Sequence, residues 1–230
     1  KRKPSGTYAS ERTLSAICGN PRKCNWLGVR RSDVTYRNFY SKKLDVHILK
    51  DLDSKHKRNM KLLIEKIDQG SWTKKQKKRQ KNSILSNVAL YKTLIEAGIP
   101  KEQSYELVKE YSFHVAGKFH GILKALFYIP GFFRLFRFFM RKGMAGTEIW
   151  ISDILTDNSR EYSMDVLKCL WFDTCSHFGC PELCEIFCLC DHIVFGNIGK
   201  LQFDRSQTLG MGGDKCDFCF RSNKLHGIAD

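Results

Sequence analysis

A chain of 230 residues with 42% hydrophobic and 27% charged side chains is globular in composition and long enough to bury a core, which excludes fibrous and wholly disordered classes. Its net charge of +15 is uneven: residues 1–81 carry 23 Lys/Arg against 7 Asp/Glu, and residues 82–230 carry 16 against 17. That balance argues against a nucleic-acid groove on the later part, and no run of about 18 apolar residues offers a membrane span.

Residues 1–35 read as an irregular arm in which Cys18 and Cys24 are unrelated thiols. Leu44, Ile48, Leu52, Leu63 and Ile67 recur at helical spacing, predicting one or two charged helices up to Ile67. The run KKQKKRQK at 74–81 reads as a solvated helix face or linker, the rival reading being a nuclear-import or nucleic-acid patch. Residues 1–81 thus form a basic segment, and they offer a contact for nucleic acid or an acidic partner. Residues 82–230 form an α+β domain, helical over 82–145 and sheet-containing over 146–221.

In that domain Ile84, Val88, Tyr91 and Ile95 form a stripe on a helix over 83–97, stopped by Gly98 and Pro100. Pro100 opens a second helix to about Phe127, striped by Val108, Val115, Phe119, Ile122 and Leu126. Its His114 and His120 do not share a face, so they are not a metal pair. Residues 131–142, GFFRLFRFFMRK, form a basic amphipathic segment closed by Gly143. It reads as a packed helix with snorkelling arginines, as a lid over a ligand cavity, or as an interfacial membrane helix.

After Gly146 the period becomes that of strands: EIWIS at 148–152 and EYSMDVLK at 161–168, joined by the turn DNS. A short helix over 171–178 and another from Pro181 to about His192 follow. Strands at 200–208 and 215–221 then close a hairpin through 210–214. The order β-β-α-α-β-β, without βαβ alternation, predicts an antiparallel sheet of about four strands behind N-terminal helices.

Eight of the ten cysteines lie from Cys169 onward. Their density is below that of a disulfide framework and points to thiols in a reducing compartment, the cytoplasm. Cys184, Cys188 and Asp191 fall at i, i+4 and i+7 on one helix face, which suits either a nucleophile beside a proton acceptor or a buried thiol beside a solvated carboxylate. Cys216 and Cys219 have knuckle spacing, but in an alternating strand they face opposite ways, so Cys216 reads as a core or pocket thiol and metal is not favoured. Arg205 follows Leu201 and Phe203 on the apolar face and needs an anion there: Asp191, Asp217 or a substrate carboxylate.

The ordered series of a strand ending in Lys168-Cys169, GCPEL at 179–183, Cys188 with Asp191, Arg205 with Thr208, and GGDKCDFCF at 212–220 resembles the L-2-amino-thiazoline-4-carboxylic acid hydrolase family. The resemblance covers roughly 85–221 and is sharp from 161 to 221. The hairpin is also distantly similar to that of the 4-vinyl reductase domain, a small-molecule-binding module in which a cysteine usually stands where this chain has Thr208. The resemblance implies hydrolytic opening of a 2-aminothiazoline ring to N-carbamoyl-L-cysteine, without a cofactor. It implies Asp191 as general base, Arg205 as carboxylate clamp, and either Cys188 as nucleophile with Cys169 second or direct attack by water with the cysteines purely structural. Thr208 and Asp217 orient substrate or water, and Cys216 belongs to the pocket. Cys175, Cys180, Cys184, Cys190 and Cys219 lie outside the pattern and carry no implied role. Two other readings remain open, a non-catalytic small-molecule sensor and a cysteine-rich metal module.

Overall fold

The structure is a computed structural model that describes residues 36–144 and 146–223. The expected irregular arm at 1–35, with Cys18 and Cys24, lies outside the described residues. Helices come first: α1 (Tyr36–Tyr40), α2 (Val46–Gln69), α3 (Lys74–Ser83), α4 (Leu85–Glu96), α5 (Lys101–Phe127) and α6 (Phe132–Met144). Then follow β1 (Trp150–Asp157), β2 (Glu161–Cys169), α7 (Leu170–His177), α8 (Leu183–Phe195), β3 (Leu201–Asp204) and β4 (Cys216–Ser222). The four strands form one antiparallel sheet in the order β1-β2-β4-β3, so the fold is α+β with two helices inserted between the hairpins.

Local chemistry sets most of the boundaries. Asp45 caps α2 by accepting the His47 N–H, and Leu49, Leu52, Leu63 and Ile67 form its buried stripe. The basic run is helix α3, started by a capping box between Thr73 and Gln76. Lys74, Lys75 and Lys78 are exposed on it. Its other face is structural: Gln80 is fully buried and donates to Thr174 Oγ1 at 3.1 Å, and the Arg79 guanidinium lies 5.8 Å from the Trp150 ring centre. The helices between 36 and 83 share one apolar cluster with the later elements, and the Tyr40 hydroxyl donates to Leu107 O at 2.7 Å.

Up to β1, four details depart from the expected pattern. On α4, Ile95 is exposed and Leu94 buried instead. On α5 the buried set is Leu107, Val108, Ala116, Leu123 and Phe127, with Ile122 turned outward. Apolar residues stand side by side at 107/108, 122/123 and 126/127, so periodicity alone leaves the face undecided. Gly143 lies inside α6, which continues to Met144. β1 starts at Trp150 because Thr147 Oγ1 accepts the N–H groups of Ile149 and Trp150, and it runs on to Asp157 through two irregularities in its pairing with β2.

The β2–β4 register pairs Val166 with Cys216, Met164 with Phe218 and Tyr162 with Phe220, all buried. Side chains alternate along a strand, so these six share the face that meets the helices. The Cys219 side chain belongs to the opposite face. β3 stops at Asp204 instead of running to Thr208 as expected, so Arg205 stands one residue beyond the strand.

Candidate functional site

Between the sheet and helices α4, α5 and α8 lies a cavity of about 250 Å³. An apolar cavity of about 150 Å³ holds benzene, so by that scale this one takes roughly ten non-hydrogen atoms, a small ring with substituents. The α3–α5 side of its lining contributes Asn82, Ser83, Ser86, Asn87 and Ser112; the α8 side contributes Cys184, Cys188 and Asp191, joined by Arg205, Cys169 and Cys216. Trp150 and Trp171, stacked 4.9 Å apart at 12°, also line it.

Arg205 organises the α8 side. Only 1% of its side chain is accessible. Its Nη1 donates to Asp191 Oδ2 at 2.7 Å and its Nη2 to Cys188 O at 2.5 Å, and the guanidinium carbon sits 5.0 Å from the Phe218 ring centre. Asp191 thus supplies the anion that a buried guanidinium requires. Arg205 Nε and Ser83 Oγ are buried without a protein partner, and both residues line the cavity. Asp191 lies deep but keeps 34% of its side chain accessible, as expected of a carboxylate facing a cavity. Burial pushes its carboxyl up to about 6, while the Arg205 charge pulls the other way.

A row of thiols runs beside this pair. Cys184 shares side-chain hydrogen bonds with both Cys169 and Cys188, and these push its own thiol far up and keep it protonated. The hydrogen bond from Cys184 is also the main cause that brings Cys188 down to about 7, against the effect of burial. The Thr208 hydroxyl adds a second hydrogen bond to Cys188, while Thr208 Oγ1 accepts the Met211 N–H at 3.2 Å. Cys169 stands immediately before α7; the hydrogen bond from Cys184 and the N–H groups of Trp171 and Phe172 lower its thiol. A single S–H proton serves one acceptor at a time, so Cys184 supports Cys169 or Cys188 but not both at once.

The other expected site residues divide. Cys216 lines the cavity, and burial pushes its thiol up to about 12. Asp217 does not line it. Its carboxylate accepts the N–H groups of Ser206 and Gln207 and the Ser206 hydroxyl, so it pins the turn that carries Arg205 and Thr208. Cys184, which the motif series left without a role, stands between Cys169 and Cys188 in the thiol row; its i, i+4 spacing to Cys188 was the available signal. The serines and asparagines of α3–α5 carry no motif at all. Among the described residues no group of three or more His, Cys, Asp or Glu side chains is placed to hold a metal ion.

A family model described as L-2-amino-thiazoline-4-carboxylic acid hydrolase matches residues 76–220. The chain belongs to the L-2-amino-thiazoline-4-carboxylic acid hydrolase family. No curated protein and no solved structure matches it. The matched stretch contains every site residue named above, and this member of the hydrolase family adds Tyr36, from outside the matched stretch, to the cavity lining. The Tyr36 hydroxyl and Ser86 Oγ are 2.6 Å apart.

The turn between β3 and β4 closes over the thiols through a glycine. A Cβ on Gly210 would stand 2.8 Å from Cys188 Sγ and 3.0 Å from Cys184 Sγ, whereas Gly212 takes the left-handed conformation at φ 85° that turns the chain toward β4. Gly210→Ala is expected to destabilise the protein by about 1–3 kcal/mol, read from urea unfolding, because both sulfurs would have to shift and the Cys184 backbone carbon, 3.1 Å from the added Cβ, holds the turn in place. Adding Cys188→Ala should recover part of that loss.

Proposed function

We propose that this protein hydrolyses a small cyclic amidine, with L-2-amino-thiazoline-4-carboxylate as reference substrate and N-carbamoyl-L-cysteine as product. The observation that carries the reading is the position of Cys188: its sulfur, hydrogen-bonded by Cys184 and Thr208, shares one ring-sized cavity with the Asp191–Arg205 pair. A five-membered ring bearing an amino group and a carboxylate matches that volume.

In the proposed sequence the Cys188 thiolate attacks C2 of the ring, and the C2=N3 electron pair moves to N3, which takes a proton from solvent. The C2–S1 bond then breaks and the ring sulfur leaves as a thiolate that takes up a proton from solvent. Water next attacks C2 of the resulting S-linked isothiourea while the Asp191 carboxylate accepts its proton. Cys188 departs as thiolate and the second water proton is released as the urea C=O forms, so one water is consumed and its two protons offset those taken up by N3 and the ring sulfur. Arg205 keeps Asp191 ionised and, through its unpartnered Nε–H together with Ser83, offers hydrogen bonds to the substrate carboxylate. Cys169 stands as the alternative nucleophile, and Asp217 acts through the turn it holds.

The test is release of free thiol from the thiazoline carboxylate by the purified full chain, with the product identified by mass. Thiol release that a chelator leaves unchanged is the expected result. Binding of the compound without turnover would make the cavity a sensor site, and turnover lost with chelator would assign the cysteines to a metal.

A further inference from the structure

Helix α6 has more apolar surface than the core uses. Phe133, Phe136, Met140 and Met144 form its buried stripe, with Phe136 against Phe127, Phe195 and Phe220. A second apolar stripe at i, i+3 and i+4, Leu135, Phe138 and Phe139, is left between 42% and 46% exposed. The segment Phe132–Met144 holds three arginines, a lysine and no acidic residue. Arg137 and Arg141 both bond Asp157 of β1, at 2.8 and 3.0 Å, which fixes the rotation of the helix so that the second stripe faces outward. Arg134 and Lys142 are exposed beside it, and the Lys142 ammonium lies 5.9 Å from the Phe138 ring centre, its stem along the aromatic surface. The corner before the helix adds exposed Tyr128 and Ile129, with the Lys200 ammonium 5.6 Å from the Tyr128 ring centre.

We propose that the outer face of α6, with the Tyr128–Ile129 corner, docks on an anionic lipid surface, the rings entering the headgroup boundary and Arg134, Lys142 and Lys200 meeting the phosphates. The charge pattern selects this occupant. A second copy placed face to face would bring these cations against their own kind, whereas an anionic headgroup layer neutralises them while the rings leave water. No helix among the described residues is long and apolar enough to cross a membrane, so the contact is peripheral.

The experiment is vesicle flotation with the full chain, comparing phosphatidylcholine alone with a mixture holding about a third phosphatidylglycerol. Binding to the anionic vesicles that falls with salt is expected. F138S/F139S leaves net charge unchanged and replaces half-exposed rings, and it should weaken binding at least about tenfold with an unaltered circular-dichroism melt. R134Q/K142Q, a second variant that spares the rings, should weaken it about tenfold or more at low salt. Absence of wild-type binding overturns the proposal. So does binding by F138S/F139S equal to wild type, which would move the contact to the lysine-rich residues 1–81, or a change in that variant from dimer to monomer, which would make the face a self-association surface.

Discussion

Cys188→Ser is expected to cut thiol release from the thiazoline carboxylate by about a thousandfold or more, with the thermal midpoint close to wild type. Serine keeps the hydrogen bond with Thr208 and nearly the same volume, so the loss reports the sulfur as nucleophile. The pH profile sharpens the test. A thiol held down to about 7 by the Cys184 hydrogen bond is silent when protonated, so kcat/KM should rise as pH climbs through 7. If water attacks directly and Asp191 alone serves as base, Cys188→Ser stays active and the acid limb falls near 6, where burial places the carboxyl. Asp191→Asn is expected to cost about 10²–10⁴ in turnover on either route, since an amide cannot accept the proton.

Arg205→Met should produce the largest loss of stability. It leaves the deep Asp191 carboxylate without its countercharge, removes the donor from Cys188 O and strips the guanidinium from the faces of Phe203 and Phe218. Breaking a buried pair in this way costs about 3–5 kcal/mol, and the accessible third of Asp191 sets the expectation at the low end. That corresponds to roughly 6–12 °C in thermal midpoint for a protein of this size. The deficit depends on pH with a defined sign. The folded state already raises the Asp191 carboxyl above its ordinary value through burial, and loss of Arg205 raises it further. The folded form then holds a proton that the unfolded chain releases, so stability falls as pH rises from about 4 through the folded value. The deficit should therefore be largest near pH 8 and shrink toward pH 4. Asp191→Asn combined with Arg205→Met should recover a good part of it, because no charge is then left buried. Calorimetric melts at the two pH values check both statements.

The α+β class and the order of helices and strands along the chain were legible in the sequence because they rest on local period and breakers: helical stripes to 127, alternation after Gly146, and glycines and prolines at the bends. So was the i, i+4, i+7 alignment of Cys184, Cys188 and Asp191, since one helix carries all three. The ion pair of Arg205 with Asp191 was one of several candidate partnerships until the β3–β4 turn folded onto α8 and buried the guanidinium. Asp217 shows the limit of motif reasoning. Its neighbour Cys216 points into the cavity, and strand alternation turns Asp217 away to hold the Ser206–Gln207 turn. Which of two adjacent apolar positions on α5 is buried was settled by the helices packed around it. The thiol contact of Cys169 with Cys184 joins the end of β2 to α8 across a sequence gap of fifteen residues. Such a contact exists only once the sheet and helix have packed, because hydrogen bonds between side chains depend on distance in space, which composition and spacing along the chain do not encode.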